Sequence, residues 1–198
     1  PTIFYLEETL SLIESYGCPF DASAFCTSSG MAAIKQAVEP LLVLNEAHQD
    51  EVNFVSSAQV YGGTFQLFNV RMKERGAKVR WVSQPWEIKE WEKQVDAHTR
   101  FLYTEMPSNP QQACSDLQAL AKLAHHFQIP LIVDSTIATP ALLRPLQHGA
   151  DIVVQSLTKT IGSGGASIGG AVIARHGLNS RHLAAEARAD YAVWLKLW

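Results

Sequence analysis

The sequence has 198 residues, 47% of them hydrophobic and 18% charged, which is enough apolar material for the core of one domain. Its formal net charge of -3 gives no basic surface for nucleic acid, and no apolar run reaches the ~20 residues of a membrane helix. Three cysteines and seven histidines show neither a disulfide framework nor metal-ligand spacing, so we predict a cytoplasmic protein without a metal site.

Short apolar runs alternate with longer amphipathic stretches along the chain. In chain order, this pattern predicts helices at 2–16 and 31–44, a strand at 51–55, a helix at 61–75, a strand at 78–82, a helix at 86–97, a strand at 100–104, a helix at 116–127, and strands at 130–134, 151–155 and 167–174. The alternation indicates an α/β fold with a mostly parallel sheet flanked by helices. Because ligands bind beyond the carboxyl ends of such strands, we expect the chemistry in the segments that follow them.

Two polar, glycine-containing segments lead into predicted helices. Residues 27–34 read Thr-Ser-Ser-Gly-Met-Ala-Ala-Ile, and the free amides of such a helix start could bind a phosphate or simply form an ordinary cap. Tyr61 precedes two glycines and a threonine, where its ring could stack on a flat cofactor or belong to the core. Neither segment is specific by itself.

Three further segments follow predicted strands. Asn109 lies in a proline-rich segment, so its amide could meet a ligand or the segment could be a plain turn. Asp134 ends a buried strand, where a carboxylate needs a cationic or protonated partner such as a pyridinium nitrogen, unless it caps a helix or makes a structural hydrogen bond. Lys159 follows a strand between hydroxyl residues, which suits a Schiff-base nucleophile beside a phosphate, although a lone lysine is usually a solvated charge.

In this order the five segments resemble the Cys/Met-metabolism family of pyridoxal 5′-phosphate (PLP) enzymes, which includes cystathionine synthases and lyases, methionine gamma-lyase and O-acetylhomoserine sulfhydrylase. The resemblance extends from the opening Pro-Thr-Ile to Gly170, and residues 61–68 and 167–173 favour the O-acetylhomoserine sulfhydrylase branch. It implies that residues 1–198 form the fold-type I, aminotransferase-like large domain that binds PLP.

The resemblance also implies a role for each candidate residue. Lys159 would hold the cofactor covalently and move protons at the substrate, Asp134 would pair with the ring nitrogen, and Tyr61 would stack on the ring and assist proton transfer. The remaining cofactor contacts would come from the backbone amides of Gly30 and Met31, the hydroxyls of Ser156 and Thr158, and the side chain of Asn109.

The implied activity is a PLP-dependent γ-replacement or γ-elimination in methionine biosynthesis and cysteine metabolism. An example is the conversion of O-acetylhomoserine with sulfide or a thiol to homocysteine or methionine. A cystathionine γ-synthase or lyase, a methionine γ-lyase and a truncated, non-catalytic PLP-binding homologue remain alternatives. The resemblance further implies an amino acid substrate, no nucleic-acid or membrane partner, and a homo-oligomer, dimer or homotetramer, with shared active sites.

The sequence departs from the family pattern at Ser135, Gln155 and Thr160, where Asn, His and Tyr are usual, and this leaves the subfamily open. The larger departure is length. The family's N-terminal segment, which reaches the neighbouring subunit's phosphate site, and its C-terminal domain, which supplies an arginine for the substrate carboxylate, have no counterpart here. We therefore expect a fragment or a truncated homologue that, by itself, binds PLP weakly and turns over poorly.

Overall fold

The computed structural model describes residues 2–42, 52–162 and 165–197. Eight α-helices lie in this part of the chain: α1 (Thr2–Glu14), α2 (Gly30–Val38), α3 (Gly62–Gln66), α4 (Ile88–Glu92), α5 (Leu117–His126), α6 (Thr139–Leu142), α7 (Ala185–Ala189) and α8 (Tyr191–Trp194). Seven strands accompany them: β1 (Ala22–Thr27), β2 (Asn53–Ser57), β3 (Lys78–Val82), β4 (Thr99–Glu105), β5 (Leu131–Asp134), β6 (Ile152–Ser156) and β7 (Gly170–Arg175).

The seven strands form one sheet in the order β1-β7-β6-β5-β4-β2-β3. Strands β3, β2, β4, β5 and β6 pair in parallel, whereas β7 is antiparallel to both of its neighbours, β1 and β6. The predicted α/β fold with a mostly parallel sheet is therefore confirmed. Because β7 runs antiparallel to both β1 and β6, β1 has the same direction as β6 and the other parallel strands. The carboxyl ends of β1 and of the five parallel strands therefore lie at one edge of the sheet.

The predicted elements agree with the structure within a few residues, with three exceptions, and four elements of the described residues are not predicted: β1, α6, α7 and α8. Strand β1 is not predicted by the apolar pattern, because it is an edge strand whose side chains are mostly half-buried. The helix expected at 61–75 is divided into α3 and a π-helical segment, Leu67–Met72. The helix expected at 86–97 is shortened to α4, and the helix expected at 31–44 changes after α2 to a 3-10 turn, Glu39–Leu42. Residues 43, 44 and 51 of the predicted elements lie outside the described residues.

The core has a layer of side chains on each face of the sheet, because successive residues of a strand point to opposite faces. On one face Phe54, Phe101 and Tyr103 pack with Phe68, the first two rings stacked with centroids 4.7 Å apart. On the other face α4 and α5 cover the sheet, with the fully buried Trp91 at the centre of the contact. Side chains of β4, β5 and β6 pack in both layers, and this packing holds the three strands in place within the sheet.

Within the described residues no helix combines the length and apolar character that crossing a membrane requires. In the same part of the chain no group of three or more histidine, cysteine or acidic side chains is arranged to hold a metal ion.

Candidate active site

A cavity of about 210 Å³ opens at the carboxyl ends of β4, β5 and β6. It is lined by all of the residues that the sequence proposes as cofactor contacts: Gly30, Met31, Tyr61, Asn109, Asp134, Ser156, Thr158 and Lys159. The wall is completed by five residues to which the sequence assigns no contact with the cofactor: Ser29, Ile34, Glu105, Thr136 and Ile137. Two larger cavities, of about 370 and 520 Å³, lie along α1 and contain none of these residues.

The start of α2 forms one side of the cavity. Ser29 has extended backbone, and its Oγ accepts a hydrogen bond of 3.1 Å from the N–H of Ala32. The amides of Gly30 and Met31 belong to the first turn, whose N–H groups have no partner within the helix. A Cβ atom on Gly30 would lie 2.6 Å from Cβ of Ser156, so glycine is what allows the helix to approach β6 this closely. These features make the helix start suited to a phosphate group.

The two hydroxyl residues at the end of β6 differ in their surroundings. The side chain of Ser156 lies directly against Gly30, and its backbone N–H donates to Thr136 Oγ1 at 2.8 Å. The hydroxyl of Thr158 donates to the carbonyl of Gly169 and accepts from the N–H of Gly169, both at 3.2 Å. Ser156 is therefore placed at the anion-binding helix start, whereas Thr158 would have to exchange a backbone partner to donate to a phosphate.

Asp134 lies at the buried end of the cavity. Its Oδ1 accepts a hydrogen bond of 3.0 Å from the N–H of Thr136, and its Oδ2 lies 3.4 Å from the hydroxyl of Tyr103. Burial raises the pKa of Asp134, and hydrogen bonds from Thr136 and Tyr103 only partly offset this effect. None of the ion pairs in the described part of the chain includes Asp134. A cationic ring nitrogen would supply the partner that a buried carboxylate requires.

Tyr61 and Lys159 form the more open side. The side chain of Tyr61 is 51% exposed, and its ring lies over Gly63, because a Cβ atom there would be 2.6 Å from Tyr61 Cε1 and 3.0 Å from Met31 Sδ. Lys159 stands in the turn after β6, where its backbone N–H donates to the carbonyl of Ser156 at 3.2 Å. Lys159 and Asp134 line the same cavity, which is the arrangement that a single cofactor ring between them requires.

Glu105 belongs to the cavity wall although the sequence patterns do not single it out. It ends β4, pairs in register with Asp134, and is only 4% exposed. Burial, and then the adjacent charge of Asp134, raise its pKa to about 8, although the backbone N–H groups of Tyr61 and Asn109 act in the opposite direction. The signal that could have revealed Glu105 is the one that points to Asp134, namely a carboxylate directly after a buried strand.

A helix start for an anion on one side and a buried carboxylate on the other fit a ligand that carries both a phosphate and a cationic ring nitrogen. PLP carries both groups, and the fold and cavity fit a PLP-dependent enzyme. Residues 1–189 match the family described as "Cys/Met metabolism PLP-dependent enzyme", and the chain belongs to this family. The resemblance drawn from the five segments is thus confirmed.

Named relatives place the chain more closely within the family. It is 38% identical over 173 residues to the O-acetyl-L-homoserine sulfhydrylase of Corynebacterium glutamicum, an alignment that covers 87% of this chain and 37% of the relative. It is also 38% identical over 175 residues to the O-acetyl-L-homoserine sulfhydrylase of Leptospira meyeri, with 87% and 36% covered. The chain therefore spans less than half the length of these curated relatives.

Solved structures with two different activities match the chain equally well. The chain matches an O-acetylhomoserine (thiol)-lyase of Campylobacter jejuni with a TM-score of 0.77 and 32% identity, covering 87% of this chain and 40% of that one. That crystal structure contains N′-pyridoxyl-lysine-5′-monophosphate. A cystathionine gamma-lyase of Lactobacillus plantarum, complexed with L-serine, matches with a TM-score of 0.77 and 29% identity, covering 88% and 42%.

Proposed function

We propose that this chain is the PLP-binding large domain of an enzyme that catalyses γ-replacement or γ-elimination on a sulfur amino acid or its precursor. The favoured reaction joins O-acetylhomoserine and sulfide, or a thiol, to give homocysteine or methionine. The observation that carries the proposal is that Asp134, Tyr61 and Lys159 line one cavity with an anion-binding helix start. The sulfhydrylase relatives support the choice of substrate.

The residues of the cavity would have different roles in such a reaction. PLP, when bound, supplies an electron sink for the electron pair left at the substrate Cα. The amine of Lys159 would hold the cofactor and then take the proton from Cα, while the carboxylate of Asp134 would keep the ring nitrogen protonated. The Tyr61 ring would cover one face of the cofactor, and its hydroxyl would assist proton transfer near Lys159.

The phosphate end serves to orient the cofactor. The amides of Gly30 and Met31 and the hydroxyl of Ser156 would bind the phosphate, with Thr158 as a further donor. Asn109 would lie near the phenolic oxygen of the ring. Binding energy at the phosphate fixes the distance between the reacting atoms and Lys159, which is how contacts remote from the chemistry raise the rate.

A second candidate function is that of a cystathionine lyase or synthase. The structural match to a cystathionine gamma-lyase has the same TM-score as the match to the O-acetylhomoserine (thiol)-lyase, and this supports elimination as the alternative reaction. We also propose a cytoplasmic enzyme that assembles as a homodimer or homotetramer with shared active sites. The three cysteines are all free thiols, which is consistent with a reducing compartment.

The cofactor assignment is tested by titrating the chain with PLP and following the visible absorbance band of the bound cofactor. Wild type should develop this band and lose it on borohydride reduction, whereas Lys159→Ala should never develop it. Turnover of O-acetylhomoserine with sulfide, compared with cystathionine elimination, then separates the two reactions. A band of equal strength in Lys159→Ala would refute the assignment.

A further inference from the structure

The carboxyl group of Glu105 contacts the backbone of a residue that is proposed to stack on the cofactor ring. Its Oε2 accepts a hydrogen bond of 2.6 Å from the N–H of Tyr61. Glu105 lies at the end of β4 in the centre of the sheet, so this anchor is a rigid one. One buried side chain thus connects the sheet to the segment that contains Tyr61.

Tyr61 needs such an anchor more than most residues do. It precedes α3 without making a side-chain cap, and two glycines follow it, so its local sequence restrains the backbone little. Its N–H lies outside the hydrogen bonds of α3, because the helix begins one residue later. The bond to Glu105 therefore fixes the point from which the half-exposed Tyr61 ring projects over the cavity.

The charge of the cavity favours a neutral Glu105. Glu105 and Asp134 are adjacent in the parallel register, and both are buried. Burial, and then the charge of Asp134, raise the pKa of Glu105 to about 8, so that Glu105 is mostly protonated near neutral pH. A single carboxylate, Asp134, is then left to match the single positive charge of a ring nitrogen, and a second ionised carboxylate would be desolvated without a partner.

On the basis of the proposed function, we infer that Glu105 is a positioning residue: as an uncharged hydrogen-bond acceptor it holds Tyr61 in place for the cofactor. Two consequences distinguish this role from a need for negative charge. A glutamine, which has the same shape and a carbonyl acceptor, should replace Glu105. A leucine, which has a similar volume but no acceptor, should not.

The experiment compares Glu105→Gln with Glu105→Leu in the 198-residue chain, with four measurements on each. Backbone hydrogen exchange of the segment that contains Tyr61 is measured without PLP, and PLP affinity is measured by titration. Circular dichroism of the bound cofactor then reports the asymmetry of its surroundings. Thermal unfolding of the same samples shows whether each variant is folded.

In Glu105→Leu the amide hydrogen of Tyr61 should exchange about tenfold faster than in wild type, because a buried donor loses its acceptor. The same variant should bind PLP about tenfold more weakly and show weaker visible dichroism of the bound cofactor. Glu105→Gln should stay within about threefold of wild type in exchange and affinity. If Glu105→Leu does not fold, Glu105→Asp, whose carboxyl is withdrawn by one methylene, takes its place with the same expected losses.

Two results would overturn the inference. Equal losses in Glu105→Gln and Glu105→Leu would show that the negative charge matters, and unchanged exchange and affinity in Glu105→Leu would show that the anchor does not. Either result can occur while wild type binds PLP through Lys159, so the inference can fail while the proposed function stands. Failure of wild type to bind PLP would refute the proposed function. The hydrogen-exchange measurement, which is made without PLP, would still test whether Glu105 holds the backbone of Tyr61.

Discussion

The glycine pair after Tyr61 offers a sharp test of how the ring is held, because the two glycines have opposite surroundings. A Cβ atom on Gly62 would have no atom within 4 Å, whereas one on Gly63 would lie 2.6 Å from Tyr61 Cε1. Since carbon atoms pack at about 3.5–4.0 Å, Gly63→Ala must displace the ring by roughly 1 Å. Gly62→Ala is the matched control, because it makes the same chemical change in the same helix.

The two variants should differ in cofactor binding rather than in folding. Alanine is favoured over glycine in a helix by about 1 kcal/mol, and the half-exposed Tyr61 ring can turn outward at little cost. We therefore expect the free energy of unfolding of Gly63→Ala to lie within about 1 kcal/mol of the wild-type value. Gly62→Ala should be as stable as wild type or more stable. Loss of a stacking contact worth about 0.5–1.5 kcal/mol should weaken PLP binding of Gly63→Ala roughly two- to tenfold.

The assay is a PLP titration of four variants: Gly62→Ala, Gly63→Ala, Tyr61→Ala and the double variant Tyr61→Ala/Gly63→Ala. If Gly63 acts only through the ring, the double variant should bind PLP as Tyr61→Ala does, with no added loss. The reasoning is refuted if Gly63→Ala binds PLP as tightly as Gly62→Ala. It is refuted equally if the two substitutions are additive.

Three further predictions concern other parts of the chain. Gly30→Ala should lower the free energy of unfolding, measured by denaturant titration, by about 1–3 kcal/mol. The reason is that its Cβ would lie 2.6 Å from Cβ of Ser156 and 3.1 Å from the backbone Cα of that residue, and an unchanged unfolding midpoint would contradict this close packing. Asp134→Asn should weaken PLP binding more than Ser156→Ala does, because Asp134 is the buried charge partner while the phosphate retains other donors; the reverse order in a PLP titration would contradict this. Glu14 is fully buried, burial raises its pKa from 4.5 to about 7, and its Oε1 accepts from Gln155 Nε2 at 2.8 Å. The folded state then keeps a proton that the unfolded state releases, so this group lowers stability as pH rises from 4.5 to about 7. Glu14→Gln should therefore raise the free energy of unfolding at pH 8 by about 3 kcal/mol but leave it nearly unchanged at pH 4. An equal effect at both pH values would contradict the assignment.

Most residues that line the candidate cavity could be predicted from the sequence, because ligands bind beyond the carboxyl ends of parallel strands. Asp134 and Lys159 each follow a run of buried β-branched residues, and parallel strands bring their carboxyl ends to one edge of the sheet. The helix start near Gly30 carries its own local signal in the Ser-Ser-Gly segment. Local patterns of this kind predict which residues meet, although the roles of the residues in binding and catalysis remain predictions.

Other features could not be read locally because they depend on contacts between distant segments. The antiparallel direction of β7 is set by its insertion between β1 and β6, and the apolar run of β7 would fit either direction. The hydroxyl of Thr158 is engaged by Gly169, eleven residues away, and no spacing rule predicts that bond. Glu105 also ends a buried strand, but its contact with Tyr61 joins residues 44 positions apart, and no local pattern predicts it.

The most direct test of the central claim is to locate the cofactor bond. Wild type, incubated with PLP and reduced with borohydride, would be digested and its peptides analysed by mass spectrometry. A phosphopyridoxyl group confined to Lys159, with none on other exposed lysines such as Lys122, is the expected result. Modification spread evenly over surface lysines, or its absence from Lys159, would contradict the account.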